Sequence, residues 1–99
     1  MGSKTIENLK KAVLALNQSG KSRAVMSRYN SAGDLAKFIQ DQILPLQNAS
    51  LAKEKLHELW LIFAPTSDFD EYCTDIKLSE EIFQELTLLR QAYGPKAIN

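Results

Sequence analysis

The chain has one cysteine, so no disulfide can form within it, and a reducing cytoplasm is its expected home. It has one histidine, and a single His with a single Cys cannot fill a tetrahedral metal site. Four glycines and three prolines leave no Gly-rich phosphate loop, no Gly-x-Ser-x-Gly elbow and no low-complexity tract. The longest apolar run, Leu59 to Ala64, is far too short to span a bilayer. No basic n-region followed by an apolar run opens the sequence, so no signal peptide is expected. Valine and threonine are few, and no stretch alternates apolar with polar residues as a half-buried strand does. Net charge is zero, so the whole molecule has no electrostatic preference for nucleic acid or anionic lipid.

What is present is helical. Ninety-nine residues suit one domain over 1–99 with a single modest core. Ile6, Leu9, Val13 and Leu16 share one face of a helix capped by Ser3 and stopped by Gly20. Val25, Met26 and Tyr29 suggest a short helix within 21–30. Ser31 followed by Asp34 resembles a capping box, and Leu35, Phe38, Ile39 and Ile43 continue at helical spacing until Pro45. Asn48 or Ser50 restarts the chain, and Leu51, Leu56, Leu59, Trp60 and Phe63 form the widest apolar stripe, ending near Ala64 before Pro65. Ser79 is read as an N-cap with Glu80 and Glu81 in the first turn, and Ile82, Leu86, Leu89 and Tyr93 face inward before Gly94-Pro95. The expected fold is all-α, a compact bundle of four main helices plus one or two short ones. The loop between Ala64 and Ser79 is long for such a bundle, and Phe69–Cys73 could form a short turn within it, with Asp68 as its cap.

Charge is unevenly placed. Residues 1–50 carry +4 and residues 51–99 carry −4. Residues 64–89 hold Asp68, Asp70, Glu71, Asp75, Glu80, Glu81 and Glu85 against Lys77 alone, a local net of −6. A calcium loop begun at Asp68 fails, because Cys73 stands where Gly is needed and Ser79 where Glu is needed. Glu80 and Glu81 are adjacent, about 100° apart on a helix, and do not converge as a catalytic pair. His57 lacks the second His of a zinc-protease helix. The simplest reading puts His57 on the exposed side of its helix and makes Cys73 a small buried residue. The bases Lys21, Arg23, Arg28 and Lys37 raise a helix-turn-helix idea, but a neutral chain with an acidic half is poorly suited to phosphate backbone.

Trp60 and Phe63 are expected in the core. Phe69 and Tyr72 sit among carboxylates, so at least one is expected at the surface as a desolvated anchor for a partner. The competing reading plugs Phe69 onto the core and leaves the acids to water. On the first reading Asp68, Phe69, Asp70, Glu71, Tyr72 and Asp75 form a partner-binding surface. Its negative field would steer a basic protein onto it.

The run Leu59-Trp60-x-Ile62-Phe63-Ala64-Pro65-Thr66-x-Asp68-Phe69-Asp70-Glu71, followed by Ile82-Phe83 and Leu86, resembles a pattern in small bacterial proteins of toxin–immunity loci, including contact-dependent growth-inhibition systems. The ending Leu89–Gly94 is similar to helical bacteriocin-immunity proteins. The resemblance implies an α-helical, cytoplasmic, non-enzymatic protein without cofactor that neutralises a cognate toxin, a nuclease being one kind that fits. Two other readings stay open: a helical adaptor or homodimeric regulator binding through an apolar helix face, and an enzyme using His57 or Cys73. Monomer and dimer are both compatible with the sequence.

Overall fold

The helical spacing is realised in five α-helices, and no strand occurs among the described residues. The structure is a computed structural model and describes residues 3–21, 28–65 and 67–93. Helix α1 (Ser3–Ser19) buries Ile6, Leu9, Ala12 and Leu16 along one face. Gly20 closes it at φ +61°, a left-handed conformation in which any side chain would be strained.

Helix α2 (Ala32–Gln47) starts as expected, with Ser31 Oγ accepting from the Asp34 N–H at 3.0 Å. Its end differs. The helix was expected to stop at Pro45 but carries that proline within its last turn. Pro45 removes one hydrogen bond, yet Leu46 is fully buried and holds the turn onto the core. A Schellman close then ends it: the Ser50 N–H donates to the Pro45 carbonyl at 2.8 Å and the Ala49 N–H to the Leu46 carbonyl at 3.2 Å. Ala49 takes the left-handed position at φ 53°. Asn48 is therefore the C-cap of α2, and neither it nor Ser50 starts the next helix.

Helix α3 (Lys53–Ile62) turns Leu56, Leu59 and Ile62 inward, and Phe63 follows them into the core. Trp60 stays half-buried at the edge rather than anchoring the centre. Helix α4 (Asp68–Tyr72) is the short turn inside the long loop. Helix α5 (Ile76–Tyr93) begins three residues before the expected cap at Ser79. Asp75 takes the cap role, its Oδ1 accepting from the Leu78 N–H at 3.1 Å. Asp caps as well as Ser, and nothing in Ile76–Leu78 resists a helix. Ser79 is instead interior and donates to the Phe63 carbonyl at 3.4 Å. Glu80 and Glu81 therefore lie beyond the first turn and do not serve the helix N-terminus.

The short helix expected within 21–30 falls mostly on residues 22–27, outside the described residues, as does the Gly94-Pro95 stop; Arg28–Asn30 are not helical. Helix α1 packs against α2 and α5, α3 against α5 and α4, and α4 against α5. One apolar cluster draws on all five helices. The radius of gyration, 12.6 Å, is close to the roughly 13 Å of a folded chain of about 100 residues.

Candidate binding surface

The expected partner surface divides in two. Helix α4 is one turn long, so Asp68, Phe69 and Tyr72, spaced i, i+1 and i+4, fall on its inner side. Phe69 is wholly buried, its ring centroid 5.0 Å from that of Phe63. Tyr72 is 1% exposed. Its hydroxyl donates to the Tyr29 carbonyl at 2.8 Å, and its own carbonyl accepts from Ser19 Oγ at 3.0 Å. The expectation that one of these aromatics stands at the surface is overturned. Burying them was expected to drag charge inward, and it does so: Asp68 is buried, and so is one carboxylate oxygen of Asp70.

Asp68 is 5% exposed, and the protein supplies the compensation that a buried carboxylate requires. Its Oδ2 meets Arg28 Nη2 at 2.9 Å, and its Oδ1 accepts from the Arg28 backbone N–H at 3.0 Å. Burial works against the Arg28 charge, but the hydrogen bond and Coulombic attraction to Asp68 outweigh it and raise the Arg28 pKa. Tyr29 extends the clasp, its hydroxyl donating to Glu58 Oε2 at 2.8 Å. Burial and that carboxylate push the Tyr29 phenol well above its ordinary range. Asp68 is therefore structural and lends nothing to an external field.

The other acids face outward. Asp70 and Glu71 are half-buried on the outer side of α4, and Asp75 and Glu80 are exposed. Glu81 and Glu85, one turn apart on α5, lie along the seam with α1, where Asn8 joins them. The Asn8 amide nitrogen lies 3.5 Å from Glu81 Oε2 and 3.3 Å from Glu85 Oε1. Asn8 is 3% exposed, so its amide fixes both carboxylates from beneath. Among the described residues Glu71, Asp75, Glu80, Glu81 and Glu85 make no ion pair. A groove of about 370 Å³ runs along this seam, with Asp75 and Glu81 in its wall. Lys11 and Lys77 also line it, one base for each acid, so the groove lining is formally neutral although neither lysine forms an ion pair with Asp75 or Glu81.

Neither Asn8 nor Arg28 was singled out as a site residue from the sequence. Asn8 carries a legible signal, since a polar residue between Ile6 and Leu9 on a helix is placed at the border of its buried face. The Arg28 partnership spans 40 residues and has no local signature.

Among the described residues no hydrogen bond joins His57 to Cys73. His57 stacks on Trp60, ring centroids 5.8 Å apart. Cys73 is half-buried beside a second groove of about 330 Å³, near Lys21 and Asp75. Burial pushes its thiol up, away from the reactive thiolate. Among the described residues no group of three or more His, Cys, Asp or Glu side chains stands ready for a metal ion, and no helix is long and apolar enough to cross a membrane. No family of known proteins, no curated protein and no solved structure matches this chain.

Proposed function

We propose that this protein works by binding, and that the surface it uses is the outward acidic flank of α4 and α5, centred on Asp75, Glu81 and Glu85 with Glu71 beside them. The observation that carries this reading is that, among the described residues, these four carboxylates make no ion pair, while the buried Asp68 is matched by Arg28. A basic macromolecular partner is the complement. The partner class this fits best is a protein toxin with a phosphate-binding cleft, which an acidic helix can occupy and block. The role is then that of an immunity protein, with no bond made or broken by the protein itself. Of the residues expected from the sequence, only Glu71 and Asp75 remain in this surface: Asp68, Phe69 and Tyr72 support it from within, Asp70 is left out, and Glu81 and Glu85 join it.

The alternative, an adaptor or homodimer formed through an apolar helix face, draws on Ile76 and Leu88, both exposed on α5. They lie twelve positions apart, about 120° around the helix, and so do not form one stripe. The other exposed large apolar residues, Leu14 and Leu44, are on different helices.

The test is association with the product of the adjacent reading frame, measured by titration calorimetry at low salt. Replacing Asp75 by Asn and Glu81 and Glu85 by Gln together weakens binding by about tenfold or more, mainly through a slower association rate. Circular dichroism checks that the variant remains folded. Unchanged affinity in a folded triple variant rules out the acidic flank. A growth assay in cells expressing that product separates protection from mere binding.

A further inference from the structure

On the other side of α5 from Glu81 and Glu85, the helix meets α3 in a cluster of opposite character. The two helices run antiparallel, since Ser79 bonds Phe63 while Thr87 bonds Trp60. Trp60 is the only tryptophan, half-buried, and its indole N–H donates to Thr87 Oγ1 at 2.8 Å. Thr87 passes its own proton to the Phe83 carbonyl at 2.7 Å, so the indole is held in one orientation. Phe83 lies one turn before Thr87 and stacks on the indole with centroids 5.2 Å apart. Arg90 lies one turn after, its guanidinium carbon 4.0 Å from the ring centroid. His57 adds its ring from the preceding turn of α3, and Lys53, four residues earlier on the same flank, is exposed.

Two features mark this cluster as unfinished. Among the described residues, Arg90, His57 and Lys53 have no carboxylate within 4 Å. Arg90 Nε and His57 Nδ1 are also buried without a hydrogen bond. Native structures hold few such atoms, and here two fall against the same indole. Tryptophan and arginine, here in cation–π contact with no ion pair for the arginine among the described residues, are among the side chains enriched at binding hot spots.

We infer that the α3–α5 face is a second docking surface, distinct from the acidic flank, and that it takes an acidic segment of a protein, whose carboxylates pair with Arg90 and Lys53 over the Trp60 edge. Charge complementarity decides the occupant: Arg90 and Lys53 are cations without an ion pair among the described residues, and the nearest acid on that side of α5, Glu80, is two turns from Thr87. Arg90, Phe83 and His57 already lie against the indole, so Trp60 is not an open platform for a nucleobase, which needs a free ring face.

Trp60 is its own reporter. Blocked hexaglutamate, titrated at low salt, is expected to saturate with a change in Trp60 emission. Arg90→Met keeps the stack and removes the charge, and it weakens binding about tenfold. Lys53→Met weakens it about threefold, and Lys37→Met, which removes one charge from α2, leaves it within about twofold. Should Arg90→Met fail to fold, Lys53→Met against Lys37→Met decides the matter alone. The inference is overturned if hexaglutamate gives no saturable signal, if Lys37→Met weakens binding as much as Lys53→Met, or if hexathymidylate binds as tightly as hexaglutamate. None of these outcomes depends on the acidic flank, so either surface can fail without the other.

Discussion

Phe69 shows how one side chain can be misread when its neighbours are read by type rather than by direction. Asp68, Asp70 and Glu71 surround it in sequence, which argues for the surface. On a one-turn helix, Asp70 and Glu71 rotate away from Phe69 and stay half-buried, and Asp68 follows it fully inward. The signal was available in the Phe69–Tyr72 spacing of three, the same spacing used to place the core faces of α1 and α5. What was not available was the cost of taking Asp68 inside, because the residue that meets it, Arg28, is remote in sequence. The two readings of Phe69 differ in what its removal does. As a wholly buried ring against Phe63 it leaves a cavity, and Phe69→Ala is expected to cost about 3–5 kcal/mol in urea denaturation. A surface anchor would cost well under 1 kcal/mol and would change binding alone.

Helix interiors were legible as elements, and helix ends much less so. Most apolar positions read from the spacing of α1, α2, α3 and α5 are buried, but Val13, Phe38, Trp60 and Leu89 are only partly so, and Tyr93 falls outside the described side chains. At Pro45 local preference was outweighed by burial, and at Ser79 burial chose between two equally good caps. Leu46 holds the turn after Pro45, and Leu78 and Ser79 are interior, so α5 starts early with Asp75 as cap. At the end of α2 the same pressure leaves a residue in an unfavourable conformation. Ala49 occupies the C′ position of a Schellman motif, where glycine is preferred because it has no Cβ to clash. Ala49→Gly relieves that clash but admits more freedom in the unfolded chain. Relief wins at a left-handed position, so the variant is expected to gain about 0.5–1 kcal/mol. A midpoint in urea that falls instead of rising would show that Ala49 is not strained.

Across the whole molecule, the +4 and −4 halves of the sequence do not become two poles. Basic α1 lies beside acidic α5, with Asn8 between the carboxylates, and α5 divides an anionic flank from the cationic face around Trp60. The halves are tied most directly through Arg28 and Tyr29. Arg28 pairs with Asp68 of α4, Tyr29 donates to Glu58 of α3, and the Tyr29 carbonyl accepts from Tyr72. Tyr29 gives this tie a pH dependence. Its phenol is raised in the folded protein, first by burial and then by Glu58, above the ordinary value of 10.0. The folded state therefore holds the proton more tightly than the unfolded chain does. The resulting stabilisation is fully present below that ordinary value and is lost as pH rises through the folded value. Tyr29→Phe removes both the Glu58 bond and the linkage. At about pH 8 the wild-type protein should be the more stable by about 1 kcal/mol, and the gap should narrow by about pH 11, where lysines weaken both proteins alike. Urea denaturation at the two pH values measures the difference directly. A gap that stays constant or widens would mean that the Tyr29 proton is not held by the fold, and that other contacts, such as Arg28 with Asp68 and Tyr29 with Phe38, fix segment 28–30.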